Sequence, residues 1–241
     1  QLQPTCRAYD ALHDDMGHVG AQPAFEHKMV ISYASYRPER FSTFTTGIQA
    51  SVTERALVYN TLYDPSGKCY RQVVNADVLP WNVGWNMQST SPFHNNMFIF
   101  HSGMSVDYIE RVAYVVREGE NGSARLASTP WPMGKATRTG NLQARSELSL
   151  RFTHPIVDWV LSNANIYSLS RNRLNEQSKS SIGDWIVSGD VTFHLPNQWD
   201  IATDLRFVGR FGYLGIADPN ELVWNVSIQK SWGNATLKLK V

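Results

Sequence analysis

One short stretch of the 241-residue chain combines side-chain types that could bind a metal ion. Its imidazole and carboxylate groups are those of His13, Asp14, Asp15 and His18. Such groups are common ligands of zinc and other divalent metals. The stretch shows no hydrophobic periodicity and contains Gly17 and Gly20, which favours a solvated loop. We therefore predict no metal site and no cofactor.

Further titratable residues occur in the C-terminal third, where they alternate with apolar residues. They are Asp158, Asp190, Asp200, Asp204, Arg206 and Arg210. Paired carboxylates can perform general acid–base catalysis. A sheet face that contacts water also carries charges of both signs on neighbouring strands, and this is far more common than a catalytic pair of carboxylates. The sequence also has no phosphate-binding glycine loop and no nucleophile elbow, so we predict no catalytic residue and no enzyme.

The elements that carry these charges are strands with a regular alternation of apolar and polar residues. The apolar residues occupy odd positions from Trp185 to Tyr213 and even positions from Leu222 to Trp232. A period of two places the two sets on opposite faces of a sheet. Long strands with one apolar and one polar face are the signature of a transmembrane β-barrel. The residues predicted to face its lumen are Asp190, Asp200, Asp204, Arg206 and Arg210.

Aromatic residues are abundant, with 8 Trp and 10 Tyr, and many lie near the ends of predicted strands. In a membrane barrel such rings form girdles at the level of the lipid headgroups. The girdle candidates are Trp185, Trp199, Tyr213, Trp224 and Trp232. The alternative is the ordinary aromatic core of a soluble β-protein. The first interpretation makes outer-membrane lipid a partner of the chain.

The composition limits the other function classes. Hydrophobic residues make up 42% of the chain and charged residues 18%, with a mean hydropathy of -0.32. No run of about 18 apolar residues occurs, which excludes a helical membrane protein. The net charge of +1 gives no reason to expect a nucleic-acid partner. Cys6 and Cys69 match no metal or redox spacing. One bridge between them is the alternative in an oxidising periplasm, but nothing in the sequence indicates that they meet, and we expect both to be free.

The alternation predicts an all-β, antiparallel up-and-down meander of about eleven long strands. They cover residues 27–37, 40–52, 56–63, 68–89, 96–117, 141–152, 156–170, 184–195, 199–213, 222–232 and 235 onward. The strand at 68–89 needs a bulge near 75–80, because its apolar residues change parity there. Residues 1–26 form a poorly patterned N-terminal segment, and residues 27–241 form the partial barrel.

The predicted connections alternate between short and long. Short ones lie at 53–55, 91–92, 153–155, 196–198 and 233–234, and long ones at 64–67, 118–140, 171–183 and 214–221. Outer-membrane barrels have short periplasmic turns and longer external loops, so the alternation orients the chain. The last strand then runs outward and stops partway. We therefore expect an internal fragment whose barrel needs at least one further strand after Val241.

Four phrases carry a resemblance to a known family. They are YASYRPE at 33–39, YDPSGK at 63–68 leading to Val74 and Asn75, FHLPNQW at 193–199 and LVWNVSIQKSW at 222–232. Their strand and turn style resembles the C-terminal barrel of the TonB-dependent receptor-like outer-membrane proteins of the Bacteroidota. The resemblance implies a barrel of about twenty-two strands with an N-terminal plug. It also implies TonB as a partner, with a surface lipoprotein as a further candidate.

Three functional classes follow from these observations. The first is part of the barrel of an outer-membrane TonB-dependent receptor-like transporter for nutrient uptake. The second is a plug-less outer-membrane pore or structural barrel. The third is a soluble β-sandwich binding module, whose strands would average about five or six residues and would be shorter than those predicted here.

Overall fold

The computed structural model of the chain describes residues 7–10, 13–16, 20–63, 69–116, 133–172, 179–213, 220–232 and 235–240. Within these ranges the backbone is almost entirely extended, apart from a 3-10 turn at Pro38–Arg40. No helix in the described ranges is long and apolar enough to cross a membrane.

Fourteen strands form one sheet in the described part of the chain. They are β1 (Arg7–Asp10), β2 (His13–Met16), β3 (Phe25–Arg37), β4 (Ser42–Glu54), β5 (Leu57–Tyr63), β6 (Cys69–Asn75), β7 (Trp81–Phe93), β8 (Phe98–Val116), β9 (Lys135–Thr153), β10 (Val157–Asn172), β11 (Lys179–Leu195), β12 (Trp199–Phe211), β13 (Glu221–Trp232) and β14 (Ala235–Lys240).

Ten of these strands follow one another in a continuous antiparallel path, in the order β3, β4, β7 and then β8 through β14. The predicted all-β, up-and-down architecture is confirmed. The longest strands, β8 and β9, have 19 residues each, well beyond the length of an average strand. The sheet is not closed, because β3 pairs only with β4 and β14 only with β13 among the described strands.

The register gives the sheet two distinct faces. Phe193 pairs with Ile201, which in turn pairs with Ile228, so odd positions of β11 and β12 share a face with even positions of β13. This is the change of phase that the sequence predicts. Followed through every antiparallel pair, the register gives one face rich in exposed apolar side chains and one rich in hydroxyl, amide and charged groups.

The predicted bulge at 75–80 is wrong, because β6 and β7 are separate strands in different parts of the sheet. β7 pairs with β4 on one side and with the first half of β8 on the other. β6 pairs with β5, and β5 pairs in parallel with the end of β8, where Asn60 lies opposite Tyr114. β4 and β5 form one arm of a hairpin, and β6 and β7 form the other arm. The two arms exchange sides beside β8, because β7 pairs with the first part of β8 and β5 pairs with its end.

Backbone hydrogen bonds and small side chains allow this crossing. The Ala76 N–H donates to the Ala56 carbonyl at 2.8 Å, and the Thr53 N–H donates to the Pro80 carbonyl at 3.1 Å. Ala56 and Ala76 are buried together with Val74, Val112 and Tyr114 in the main hydrophobic cluster of the described residues. Methyl side chains let two chain segments approach closely without a steric clash.

The connections at one end of the sheet are short, at residues 94–97, 154–156 and 196–198. The first was predicted at 91–92, which instead lie inside β7. The segment 53–55 is not a short turn of this kind, because it leads from β4 into β5 at the opposite end. β9 begins at Lys135, inside the predicted loop 118–140. The predicted N-terminal segment contributes β1 and β2 to the sheet, and β2 pairs in parallel with β6.

Candidate functional site

The polar face of the sheet holds a three-residue cluster beside the short turns. Asp158 is the second residue of β10, His194 the second-last residue of β11 and Asp200 the second residue of β12. His194 Nδ1 lies 2.8 Å from Asp200 Oδ1, and His194 Nε2 lies 3.1 Å from Asp158 Oδ2. The turn adds a further contact, since the His154 N–H donates to Asp158 Oδ1 at 3.2 Å. One imidazole thus links three neighbouring strands.

The geometry of this cluster determines its chemistry. A neutral imidazole has a single N–H and a carboxylate has none, so both contacts are hydrogen bonds only when the ring carries two protons. Neither ring nitrogen is then free to act as a base or to bind a metal. No group of three metal-ligating side chains with suitable geometry occurs in the described residues. The cluster is therefore suited to holding strands together.

The predicted lumen-facing residues all lie on the polar face. Asp190 of β11 is directly opposite Asp204 of β12, which places two carboxylates on adjacent strands. Like charges in this position repel. The side-chain amide of Asn225 donates to Asp204 Oδ2, so one of the two carboxylates has a neutral partner. Arg206 is opposite Ser188.

Charged and phenolic groups also meet at the long-loop end of the polar face. Arg210 forms an ion pair with Glu221 at 3.2 Å between Nη2 and Oε2. The Tyr213 hydroxyl donates to Asp184 Oδ2 at 3.2 Å. Burial, and then this hydrogen bond, raise the pKa of the Tyr213 phenol above its usual value. The chain reaches this position through Gly212, whose φ of 78° suits glycine.

The girdle candidates occupy three different settings. Trp185, Trp199 and Trp232 lie on the apolar face and are 47%, 42% and 53% exposed. Trp199 begins β12 and Trp232 ends β13, whereas Trp185 is the seventh of the 17 residues of β11. Trp224 shares that face but lies in the middle of the sheet, opposite Leu205, and its indole N–H donates to Thr203 Oγ1 at 2.9 Å. Tyr213 lies outside β12 and contacts Asp184 of the polar face instead.

The apolar face carries aromatic rings at two levels in five strands of the antiparallel path, β7, β8, β10, β11 and β12, whereas β9 contributes only Phe152, at the short-turn end. At the short-turn end these are Phe93, Phe98, Trp159, Phe193 and Trp199, and at the long-loop end Trp81, Tyr108, Tyr167, Trp185 and Phe211. We call these sets the inner and outer aromatic bands. Each band contains ring pairs that are in contact. Phe93 and Phe98 have centroids 5.1 Å apart, and Trp81 and Tyr108 have centroids 4.8 Å apart.

Sequence reasoning did not identify two of the features that the structure brings together. The link from His194 to Asp158 and Asp200 could have been found, because a three-residue turn at 196–198 places His194 opposite Asp200. Lys230 also stands out, since it is the one charged residue on the apolar faces of β12 and β13.

The remaining predicted ligands are placed only in part. His13, Asp14 and Asp15 lie in β2, whereas His18 is outside the described residues. Cys69 is buried, and Cys6 is outside the described residues.

No family model matches the chain, and neither a curated protein nor a solved structure matches it. The functional interpretation therefore rests on the chemistry of the two faces of the sheet.

Proposed function

We propose that the chain forms part of the wall of a bacterial outer-membrane β-barrel, and that this barrel is a TonB-dependent receptor-like transporter for nutrient uptake. The observation that supports the membrane location best is the pair of aromatic bands on one exposed apolar face. A soluble sandwich would bury that face against a second sheet. Here Leu205, Leu222 and Trp224 are 48%, 66% and 68% exposed.

The separation of the two bands agrees with the thickness of an outer membrane. Trp159 and Tyr167 are eight residues apart in β10, and Trp199 and Phe211 are twelve residues apart in β12. At about 3.3 Å per residue and a tilt of about 40°, these spacings correspond to about 20 to 30 Å along the membrane normal. The apolar band of outer-membrane barrels is about 25 Å tall.

The polar face supports a water-filled lumen. It presents carboxylates and guanidinium groups on adjacent strands, including Asp190, Asp204 and Arg206. In a barrel these groups would line the path of a solute and would contribute to selectivity. The transporter class, the plug, TonB and a surface lipoprotein come from the family resemblance of the strand and turn phrases.

Substitution by arginine on the two faces tests the membrane location. Leu205→Arg and Val226→Arg place a charge on the apolar face between the bands and should each cost about 2–4 kcal/mol in lipid. Asp204→Arg, at the neighbouring position on the polar face, is the matched control and should cost little. The measurement is a denaturant titration of folding into liposomes, made on the chain together with the flanking strands that complete its barrel. Equal costs on both faces would rule out the proposed orientation.

Crosslinking to TonB separates the transporter from a plug-less pore. The native protein in its outer membrane would be treated with a short amine-reactive crosslinker, and the products would be identified by mass spectrometry. A transporter of the proposed class gives a product that contains TonB. An outer-membrane protein that yields no such product under conditions in which other receptors do would favour the pore.

A further inference from the structure

Lys230 occupies an unusual position on the apolar face of the sheet. It lies in β13 between Ile228 and Trp232, and it is directly opposite Trp199 of β12 and Leu237 of β14. The apolar face is otherwise uncharged in β12 and β13. The position is two residues from the end of β13 and beside the turn at 196–198, at the level of the inner aromatic band.

The Lys230 ammonium is held by two indole rings and by the turn. Its Nζ lies 5.1 Å from the centroid of the Trp199 ring and 6.0 Å from that of Trp232. It also donates to the carbonyl oxygen of Asn197, a turn residue with a positive φ of 63°. These contacts fix the charge at one place on the surface and leave further N–H donors of the ammonium directed to its surroundings.

No carboxylate of the described residues forms an ion pair with Lys230. The nearest acidic residue in the facing strand is Asp200, which follows Trp199 and therefore lies on the polar face, bonded to His194. A cation on a lipid-facing surface is stabilised by an anion at the headgroup level. The ammonium is therefore available to pair with an anion from outside the described residues.

We infer that Trp199, Lys230 and Trp232 form a binding site for the phosphate of an anionic lipid headgroup. The inference rests on the proposed membrane location. The two indole rings provide flat contact with the glycerol and upper acyl region, where tryptophan is favoured. The ammonium provides charge-assisted hydrogen bonds to the phosphate oxygens. The site lies on the short-turn side, which corresponds to the inner leaflet of the outer membrane.

Quenching of tryptophan fluorescence by brominated lipids measures this preference directly. The chain, together with the flanking strands that complete its barrel, would be folded into phosphatidylcholine vesicles that contain either brominated phosphatidylcholine or brominated phosphatidylglycerol. Trp199 and Trp232 contact the site, and they report its occupancy in a protein whose six other tryptophans are replaced by phenylalanine. We expect the wild-type chain to prefer the anionic lipid by about fivefold, and this preference should fall at about 1 M salt.

Three variants assign the preference to Lys230. Lys230→Gln should reduce it to about one, and Lys230→Arg should retain it. Lys238→Gln removes a charge from the polar face of β14 and should leave the preference unchanged. The headgroup site is refuted if Lys230→Gln keeps the preference, or if Lys238→Gln loses as much.

The same experiment separates the site from the membrane proposal. If both brominated lipids quench the wild-type chain equally, the chain is in the bilayer but the headgroup site does not exist. If neither lipid quenches it in any variant, the membrane location itself is wrong and the site falls with it.

Discussion

His194 lies on the polar face between two carboxylates. Its two ring nitrogens contact carboxylates on the two flanking strands, and all three side chains are about one-third to two-fifths exposed. Water therefore screens the attraction, and the cluster stabilises the sheet less than a buried one would. The cluster joins β10, β11 and β12 near the short turns.

We predict that His194→Ala lowers the free energy of unfolding by about 1 kcal/mol, because it removes two charge-assisted hydrogen bonds and leaves Asp158 facing Asp200. Thr192→Ala, two residues earlier on the same face, is the control and should change stability by less than about 0.5 kcal/mol. Denaturant titration of the chain, folded together with the flanking strands that complete its barrel, measures both. A change in the control as large as that of His194→Ala would show that the polar face tolerates no substitution in this strand.

The crossed hairpin is the most unusual element of the sheet. Beyond the crossing, β5 replaces β7 as the neighbour of β8, and the pairing changes from antiparallel to parallel. Asn75 stabilises the crossing through its side chain. Its Nδ2 donates to the carbonyl oxygens of Arg55 and Gln22, each at 2.8 Å, and its Oδ1 accepts from the Gln22 N–H at 2.7 Å.

Asn75→Ala should destabilise the chain by about 1–3 kcal/mol, since three backbone groups lose their partner. The loss should be local. In hydrogen-exchange mass spectrometry the peptide that contains the Ala76 amide should lose protection, whereas peptides from β10 and β11 should not. Asn82→Ala, near the start of β7, is the matched control. Unchanged exchange at Ala76 in the Asn75 variant would mean that the backbone hydrogen bonds alone hold the crossing.

At the scale of the whole molecule, the edge strands β3 and β14 determine whether the sheet can close into a barrel. β3 has 13 residues, and its outer edge carries backbone groups without a partner strand among the described residues. Nine antiparallel steps separate β3 from β14, so the two edge strands run in opposite directions. Completion by an up-and-down barrel therefore requires an even number of additional strands, or direct pairing of β14 with β3.

We predict that the 241-residue chain alone does not give a stable closed barrel in lipid, because each unpaired backbone group in hydrocarbon costs several kcal/mol. The measurement is refolding into detergent or liposomes, followed by heat-modifiable gel migration and protease protection. Addition of flanking strands should restore both properties. A monodisperse, protease-resistant monomer of the chain alone would instead show that β3 and β14 close directly into a ten-strand barrel.

The alternation of apolar and polar residues was sufficient to predict several elements of this structure. The strands of β10 to β13, the turn at 196–198 and the change of parity between Phe207 and Leu222 follow from the order of apolar and polar residues. The reason is that successive side chains of a strand point to opposite faces of the sheet. The order of apolar and polar residues within one strand therefore shows which residues share a face. The same pattern predicted that Asp190, Asp200, Asp204, Arg206 and Arg210 share a face.

Contacts between distant segments were decided only by the tertiary structure. The sequence around Asn75 and Pro80 shows a change of parity, which a bulge explains as well as a crossing does. At the crossing, Tyr114 of β8 pairs with Asn60, which lies in a different hairpin. Likewise, the environment of Lys230 depends on Trp199 in the facing strand and on a turn carbonyl. Periodicity determines which face a residue occupies, whereas register and strand order determine which residues it meets there.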